Sequence, residues 1–117
     1  MKLLIVEDSL SVRQILKSVV APLASEIDEC GDGGDAVLLY ASGHPDFVLM
    51  DIDLREMDGI TATKKIITDD PNAKIIIVTN YDETDLREEA KKAGACGYVL
   101  KDNLLDVLRL LQTTANH

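Results

Sequence analysis

The sequence predicts an α/β domain, a parallel sheet wound on both faces by helices. Three observations predict it. Short apolar, β-branched runs alternate with segments whose apolar residues recur at helical spacing. The short runs are apolar throughout, the pattern of strands buried on both faces of a parallel sheet. The chain has 117 residues, room for five strand–helix units joined by short connections and none for a second core. One domain over residues 1–117 is expected.

Each element has its own signal. Leu3-Leu4-Ile5-Val6 reads as the first strand, and Val12, Leu16, Val19 and Leu23 mark the first helix after the capping candidates Asp8 and Ser9. The alternation then requires a second strand, for which Glu26-Ile27-Asp28-Glu29-Cys30 is the available candidate. Its polarity makes it an edge strand. Ala36, Leu39 and Tyr40 set a second helix, which Gly43 and Pro45 close. Phe47-Val48-Leu49-Met50 is the third strand; Ile60, Thr63, Ile66 and Ile67 form a helix ended by Asp69-Asp70-Pro71-Asn72. Ile75-Ile76-Ile77-Val78 is the fourth strand, followed by a weak helix with Leu86, Ala90 and Ala93 and a Gly94 stop. Tyr98-Val99-Leu100 and a helix from about Asn103 to Thr113 complete the series. Strictly alternating β and α elements imply right-handed crossovers and helices on both faces.

Composition excludes several activities. With 12 basic and 21 acidic residues the formal net charge is −9, so direct nucleic-acid binding by this chain is disfavoured. Phe47 and three tyrosines are the whole aromatic complement, too little for a base-stacking platform. No apolar run approaches the roughly 18 residues a membrane span needs, and no membrane partner is expected. The opening Met1-Lys2-Leu3-Leu4-Ile5-Val6 runs straight into Glu7-Asp8, too short for a signal-peptide core. Cys30 and Cys96 cannot build a disulfide framework; both are expected to pack as small apolar residues in a reducing cytoplasm. His44, in a loop before Pro45, and the terminal His117 are not expected to serve as ligand or base.

In open α/β sheets, ligands bind outside the carboxyl ends of the strands. Strand one ends in Glu7-Asp8, strand three in Asp51 followed by Asp53, strand four in Thr79-Asn80, and strand five in Lys101-Asp102. Taken singly, each is an ordinary cap, loop or surface residue. Their conjunction is not ordinary, because all fall at strand ends and no mid-strand position in these four strands is charged. Clustered carboxylates call for a hard divalent cation, Mg²⁺ above all, with Mn²⁺ as the alternative. A metal, a lysine and a hydroxyl together receive the oxygens of a phosphoryl group. One carboxylate then remains as nucleophile, and Asp51 holds the central position.

These residues stand within stretches that closely resemble the receiver domain of bacterial two-component response regulators. The stretches are Leu4-Ile5-Val6-Glu7-Asp8-Ser9, Pro45 to Leu54, Met57-Asp58-Gly59, Ile76-Ile77-Val78-Thr79 and Gly94 to Lys101. The resemblance covers the whole chain in order. It implies a flavodoxin-like fold with strand order 2-1-3-4-5, related to chemotaxis regulators. It further implies that Asp51 accepts a phosphoryl group from the phosphohistidine of a sensor histidine kinase or phosphotransfer protein. Asp8 and Asp51 would bind Mg²⁺ directly, Glu7 through a metal-bound water, and Asp53 through its backbone carbonyl. Thr79 and Lys101 would hold the phosphoryl group, and Tyr98 would be the aromatic switch that turns inward when Thr79 moves. Such a domain is no turnover enzyme; its chemistry is self-phosphotransfer and autodephosphorylation.

Departures from the family pattern are few. Arg55 stands where a proline is frequent, Asn80 where a small residue is usual, and Asp53 adds a carboxylate beside the acceptor. Asp102 replaces a common proline, and Lys-Asp is typical of receivers that precede helix-turn-helix output domains. Both a stand-alone receiver and one followed by an output domain fit this ending.

The last two helices suggest a signalling surface. Leu104, Leu105, Val107, Leu108, Leu110 and Leu111 cover an arc of about 220°, wider than a core-facing stripe, so part of it should stay exposed for a partner. Helix four has only Leu86, Ala90 and Ala93 amid charged residues, which implies low local stability. The helix 4–strand 5–helix 5 face is therefore expected to mediate dimerisation or partner docking. Three rival readings are weaker. A haloacid dehalogenase-like phosphatase would use Asp51 and Asp53 as its acid pair, but carries that pair on its first strand and needs a cap. A pseudo-receiver acting only as a binding module would lack a site residue, and none is missing. Flavodoxin-like electron transfer would need a phosphate loop after strand one.

Overall fold

The computed structural model describes residues 1–115. The strands are β1 (Lys2–Val6), β2 (Glu26–Cys30), β3 (Phe47–Met50), β4 (Ile75–Thr79) and β5 (Gly97–Leu100). The helices between and after them are α1 (Leu10–Val20), α2 (Gly33–Gly43), α3 (Gly59–Asp69), α4 (Thr84–Ala93) and α5 (Leu105–Ala115). The strands form one parallel sheet in the order β2-β1-β3-β4-β5. Strand order therefore reverses between β1 and β3, and the crevice at that reversal opens beyond Val6 and Met50.

The period of two along each strand explains the all-apolar runs. Leu3, Ile5, Phe47, Leu49, Ile76 and Val78 pack with Leu16 and Val20 of α1 and Val107 and Leu111 of α5. Their neighbours Leu4, Val6, Val48, Met50, Ile75 and Ile77 point the other way, onto Ala36, Tyr40, Ile60, Ile66, Ala90 and Ala93 of α2, α3 and α4. Both faces of the central strands β1, β3 and β4 are thus buried.

β2 lies at the edge, and only Cys30 in it is buried. Its acids are met by bases from neighbouring elements. Lys2 lies 3.0 Å from Glu26, while Glu29 pairs with Lys17 at 2.8 Å and Arg13 at 3.4 Å. Parallel pairing with β1 over all five residues makes this polar segment a strand, and the ion pairs at its edge are absent from any local pattern.

Several boundaries differ from the sequence reading. Of the two capping candidates, Ser9 caps α1, accepting from the Val12 N–H at 3.4 Å. α1 ends at Val20, and Leu23 packs on the same core from the turn beyond. Gly43 does not stop α2; it is the last helical residue, and His44 takes the left-handed position at φ 44° with its N–H on the Tyr40 carbonyl. Its imidazole meets the Tyr40 ring in a T-shaped contact, 5.8 Å between centroids. Gly94 does stop α4, at φ 109°. The fifth helix begins later than expected, because Lys101–Asn103 form a 3₁₀ turn first. Cys30 is buried as expected, but Cys96 is exposed, since it sits in the turn where its N–H reaches the Ile75 carbonyl. His117 lies outside the described residues. Among them, no helix is long and apolar enough to cross a membrane.

Candidate functional site

The site is built where β1 and β3 end side by side. The Asp51 N–H donates to the Val6 carbonyl at 3.0 Å, and the Glu7 N–H to the Cys30 carbonyl at 3.0 Å. These bonds extend the sheet one residue past each strand and set Glu7 beside Asp51. On the far side, the Gly59 N–H bonds the Ile52 carbonyl at 2.9 Å. A side chain at Gly59 would collide with the backbone carbonyl of Asp51, so glycine is required for α3 to start this close to the end of β3.

Glu7 and Asp51 are 1% and 3% exposed, which is rare for carboxylates and demands compensation. Lys101 reaches in from β5, its ammonium 3.1 Å from both Asp51 Oδ2 and Glu7 Oε2. One lysine cannot neutralise two carboxylates. The imbalance shows in Glu7, whose pKa is pushed up to about 7 by burial first and then by the Asp51 carboxylate, with Lys101 opposing. Burial alone would lower the Lys101 pKa, but Asp51 and Glu7 together hold it above the usual lysine range.

Asp8 completes the cluster. Oxygens of Glu7, Asp8 and Asp51 lie within 4.8 Å of one another, and Asp8 faces solvent. Three hard oxygen donors with uncompensated negative charge and one open side suit a divalent cation. A soft or redox metal is not suggested by this donor set.

The other predicted residues surround this core. Thr79 is fully buried at the end of β4, and its hydroxyl accepts the Tyr81 N–H at 3.2 Å. Asp53 is exposed and lies outside the acidic trio; its carboxylate accepts the Tyr81 hydroxyl at 2.5 Å. Tyr98 is half-buried, its hydroxyl donating to the Tyr81 carbonyl at 2.6 Å and its ring 4.5 Å from the Arg87 guanidinium. The loop that carries Arg55 is tied to the end of β2 by an isolated parallel β-bridge between the backbones of Arg55 and Asp32.

Sequence reasoning missed two participants. Arg13 donates from Nε to the Glu7 carbonyl at 3.0 Å and steadies the end of β1. Tyr81 contacts three predicted residues at once. Its signal was available: Met50 pairs with Ile77, so residues just beyond Asp51 and Thr79 leave the sheet together.

This geometry belongs to a known family. Residues 3–112 match the response regulator receiver domain. The chain is a receiver. It is 40% identical over 101 residues to the chemotaxis protein CheY of Thermotoga maritima, covering 86% of this chain and 84% of that protein. It is 39% identical over 110 residues to the regulatory protein AtoC of Escherichia coli, covering 94% of this chain but only 24% of AtoC. Among solved structures, a LuxR-family response regulator from Aurantimonas superposes with a TM-score of 0.89 at 29% identity, covering 97% of this chain and 83% of that one. The receiver also matches a CheX–CheY–BeF3–Mg²⁺ complex from Borrelia burgdorferi, with a TM-score of 0.88 at 29% identity over 97% of this chain and 88% of that one. The family's role is phosphoacceptor signalling in two-component systems, as a signalling module and not a turnover enzyme. The phosphatase, pseudo-receiver and electron-transfer readings are not favoured.

Proposed function

We propose that Asp51 is the phosphoacceptor and that a phosphohistidine on a sensor histidine kinase or phosphotransfer protein is its donor. One observation carries this reading: Asp51 is buried at the crevice end of β3, with Lys101 at 3.1 Å and Glu7 and Asp8 alongside. An Asp51 carboxylate oxygen attacks phosphorus, the P–N bond breaks, and its electron pair stays on the departing imidazole. The product is an acyl phosphate on Asp51.

Mg²⁺, or Mn²⁺ in its place, would be held by Asp8 and Asp51 directly, Glu7 through water and the Asp53 carbonyl, and supplies positive charge to the phosphoryl oxygens. The Mg²⁺ of the CheX–CheY complex supports this choice of ion. Lys101 exchanges its contact with the Asp51 carboxylate for one with the phosphoryl group. Thr79 gives up the Tyr81 N–H and donates its hydroxyl to a phosphoryl oxygen, which lets Tyr98 turn inward. Water attacking phosphorus later returns Asp51 as carboxylate and releases inorganic phosphate. The added charge thereby biases α4 and its neighbours between two arrangements, and the α4–β5–α5 face, where Leu105 is 69% exposed, passes the change to a partner or a second copy. The receiver unit spans residues 1–117 and works in the cytoplasm.

The test is labelling by acetyl phosphate or a phosphorylated kinase. Label should require Mg²⁺, vanish with a chelator and vanish in Asp51→Asn. Label that survives in Asp51→Asn overturns the assignment.

A further inference from the structure

Arg87 stands one turn into α4, its N–H on the Glu83 carbonyl at 3.1 Å. Its guanidinium lies over the Tyr98 ring, 4.5 Å from the centroid. Asp82 fixes it there: one carboxylate oxygen accepts from Nε at 2.8 Å and lies 2.6 Å from Nη2. At the far end of the same ring, the Tyr98 hydroxyl donates to the Tyr81 carbonyl at 2.6 Å. Tyr81 in turn donates its N–H to the hydroxyl of the buried Thr79. Tyr81 and Asp82 are neighbours in one loop, so these contacts form a circuit from Thr79 through the loop to Arg87 and Tyr98. The first half of α4 has few other anchors. Glu83 makes no side-chain cap bond, Leu86 is only half-buried, and the buried Ala90 and Ala93 belong to the second half.

From this circuit we propose that Arg87 is a positioning residue that straps α4 to the Tyr98 ring, so that the turn of the tyrosine and the displacement of the helix are one event. The inference rests on Asp51 as acceptor, and names the side chain through which the switch reaches α4. Movement of Thr79 onto the phosphoryl group releases the Tyr81 N–H and shifts the loop that carries Tyr81 and Asp82. Both ends of the strap belong to that loop: the carbonyl that holds the Tyr98 hydroxyl, and the carboxylate that holds the guanidinium. A planar guanidinium stacked on an aromatic face keeps its attraction only while the two stay in contact, so helix and ring follow one another. The contact is exposed and its strength modest, which suits a helix that must move.

The experiment is NMR on the whole chain with ring-labelled tyrosine and labelled amides, before and after saturation with Mg²⁺ and beryllofluoride as phosphoryl mimic. In wild type, the Tyr98 ring and the amides of α4 should both move. Arg87→Met keeps the length of the side chain but not its charge or plane. In it Tyr98 should still move, while the ratio of displaced to resting α4 falls about threefold, as expected for losing a stacked cation at an exposed site. Asp82→Asn keeps Arg87 but frees its guanidinium, and should lower the ratio in the same direction. Leu86→Ala loosens α4 without touching the strap and should leave the ratio at the wild-type value, which separates a strap from a general structural role. A wild-type ratio in Arg87→Met or in Asp82→Asn, or an equal fall in Leu86→Ala, overturns the proposal. If the mimic moves neither group in wild type, or moves them as far in Asp51→Asn, the acceptor assignment has failed instead.

Discussion

α3 and α4 flank the same side of the sheet, yet they are built to different standards. α3 buries Ile60, Ala62, Thr63 and Ile66, and Asp58 caps it with bonds to the Thr61 N–H at 2.9 Å and hydroxyl at 2.8 Å. α4 buries only Ala90 and Ala93 and begins at Glu83, which makes no side-chain cap bond. The helix that follows the proposed acceptor is anchored; the helix that follows the proposed switch threonine is not. An acceptor must be held still, whereas a reporter must be movable by the few kcal/mol that a new phosphoryl contact provides.

The largest test compares core truncations. Ile66→Ala in α3 should cost about 3 kcal/mol of unfolding free energy, and Leu86→Ala in α4 about 1, because Leu86 is only half-buried. Denaturant titration measures both, and equal losses would break the comparison.

A smaller effect is expected at the caps. Asp58→Ala should cost about 1 kcal/mol. Burial pushes the Asp58 pKa up, but hydrogen bonds from Thr61 and the Ile60 N–H outweigh it and hold the group below the ordinary aspartate value. The sign follows: the cap's contribution is complete above the unfolded pKa near 3.8 and is lost as pH falls through the lower folded value. Stability curves of wild type and Asp58→Ala should therefore converge in acid and separate above it.

The smallest effect sharpens the contrast from the other side. Glu83→Ser offers α4 the cap it lacks and should add about 0.5 kcal/mol. Hydrogen exchange in α4 should slow while that in α3 stays unchanged.

The alternation of apolar runs and helical stripes was enough to order the elements, because strands buried on both faces leave a long local signature. Glu7, Asp8, Asp51 and Lys101 were legible for the same reason: each stands within two residues of the end of such a run. Asp53 was legible as a neighbour of Asp51, but the bond of its carboxylate to Tyr81 was not. His44 as the stop of α2 was missed, and Asp8 and Ser9 could not be told apart as the cap of α1, since several adjacent residues could serve locally and packing chose among them.

By itself, then, the sequence determined the fold class, the sheet's dry faces and the identity of the charges at its crevice. These depend on local periodicity and chain order. Only the tertiary structure decided that Lys101 is shared at 3.1 Å between two buried carboxylates and that Tyr81 spans two loops to Asp53. Both are contacts between residues far apart in the chain, and their partners are selected by distance and burial after the sheet has formed, which no local pattern encodes.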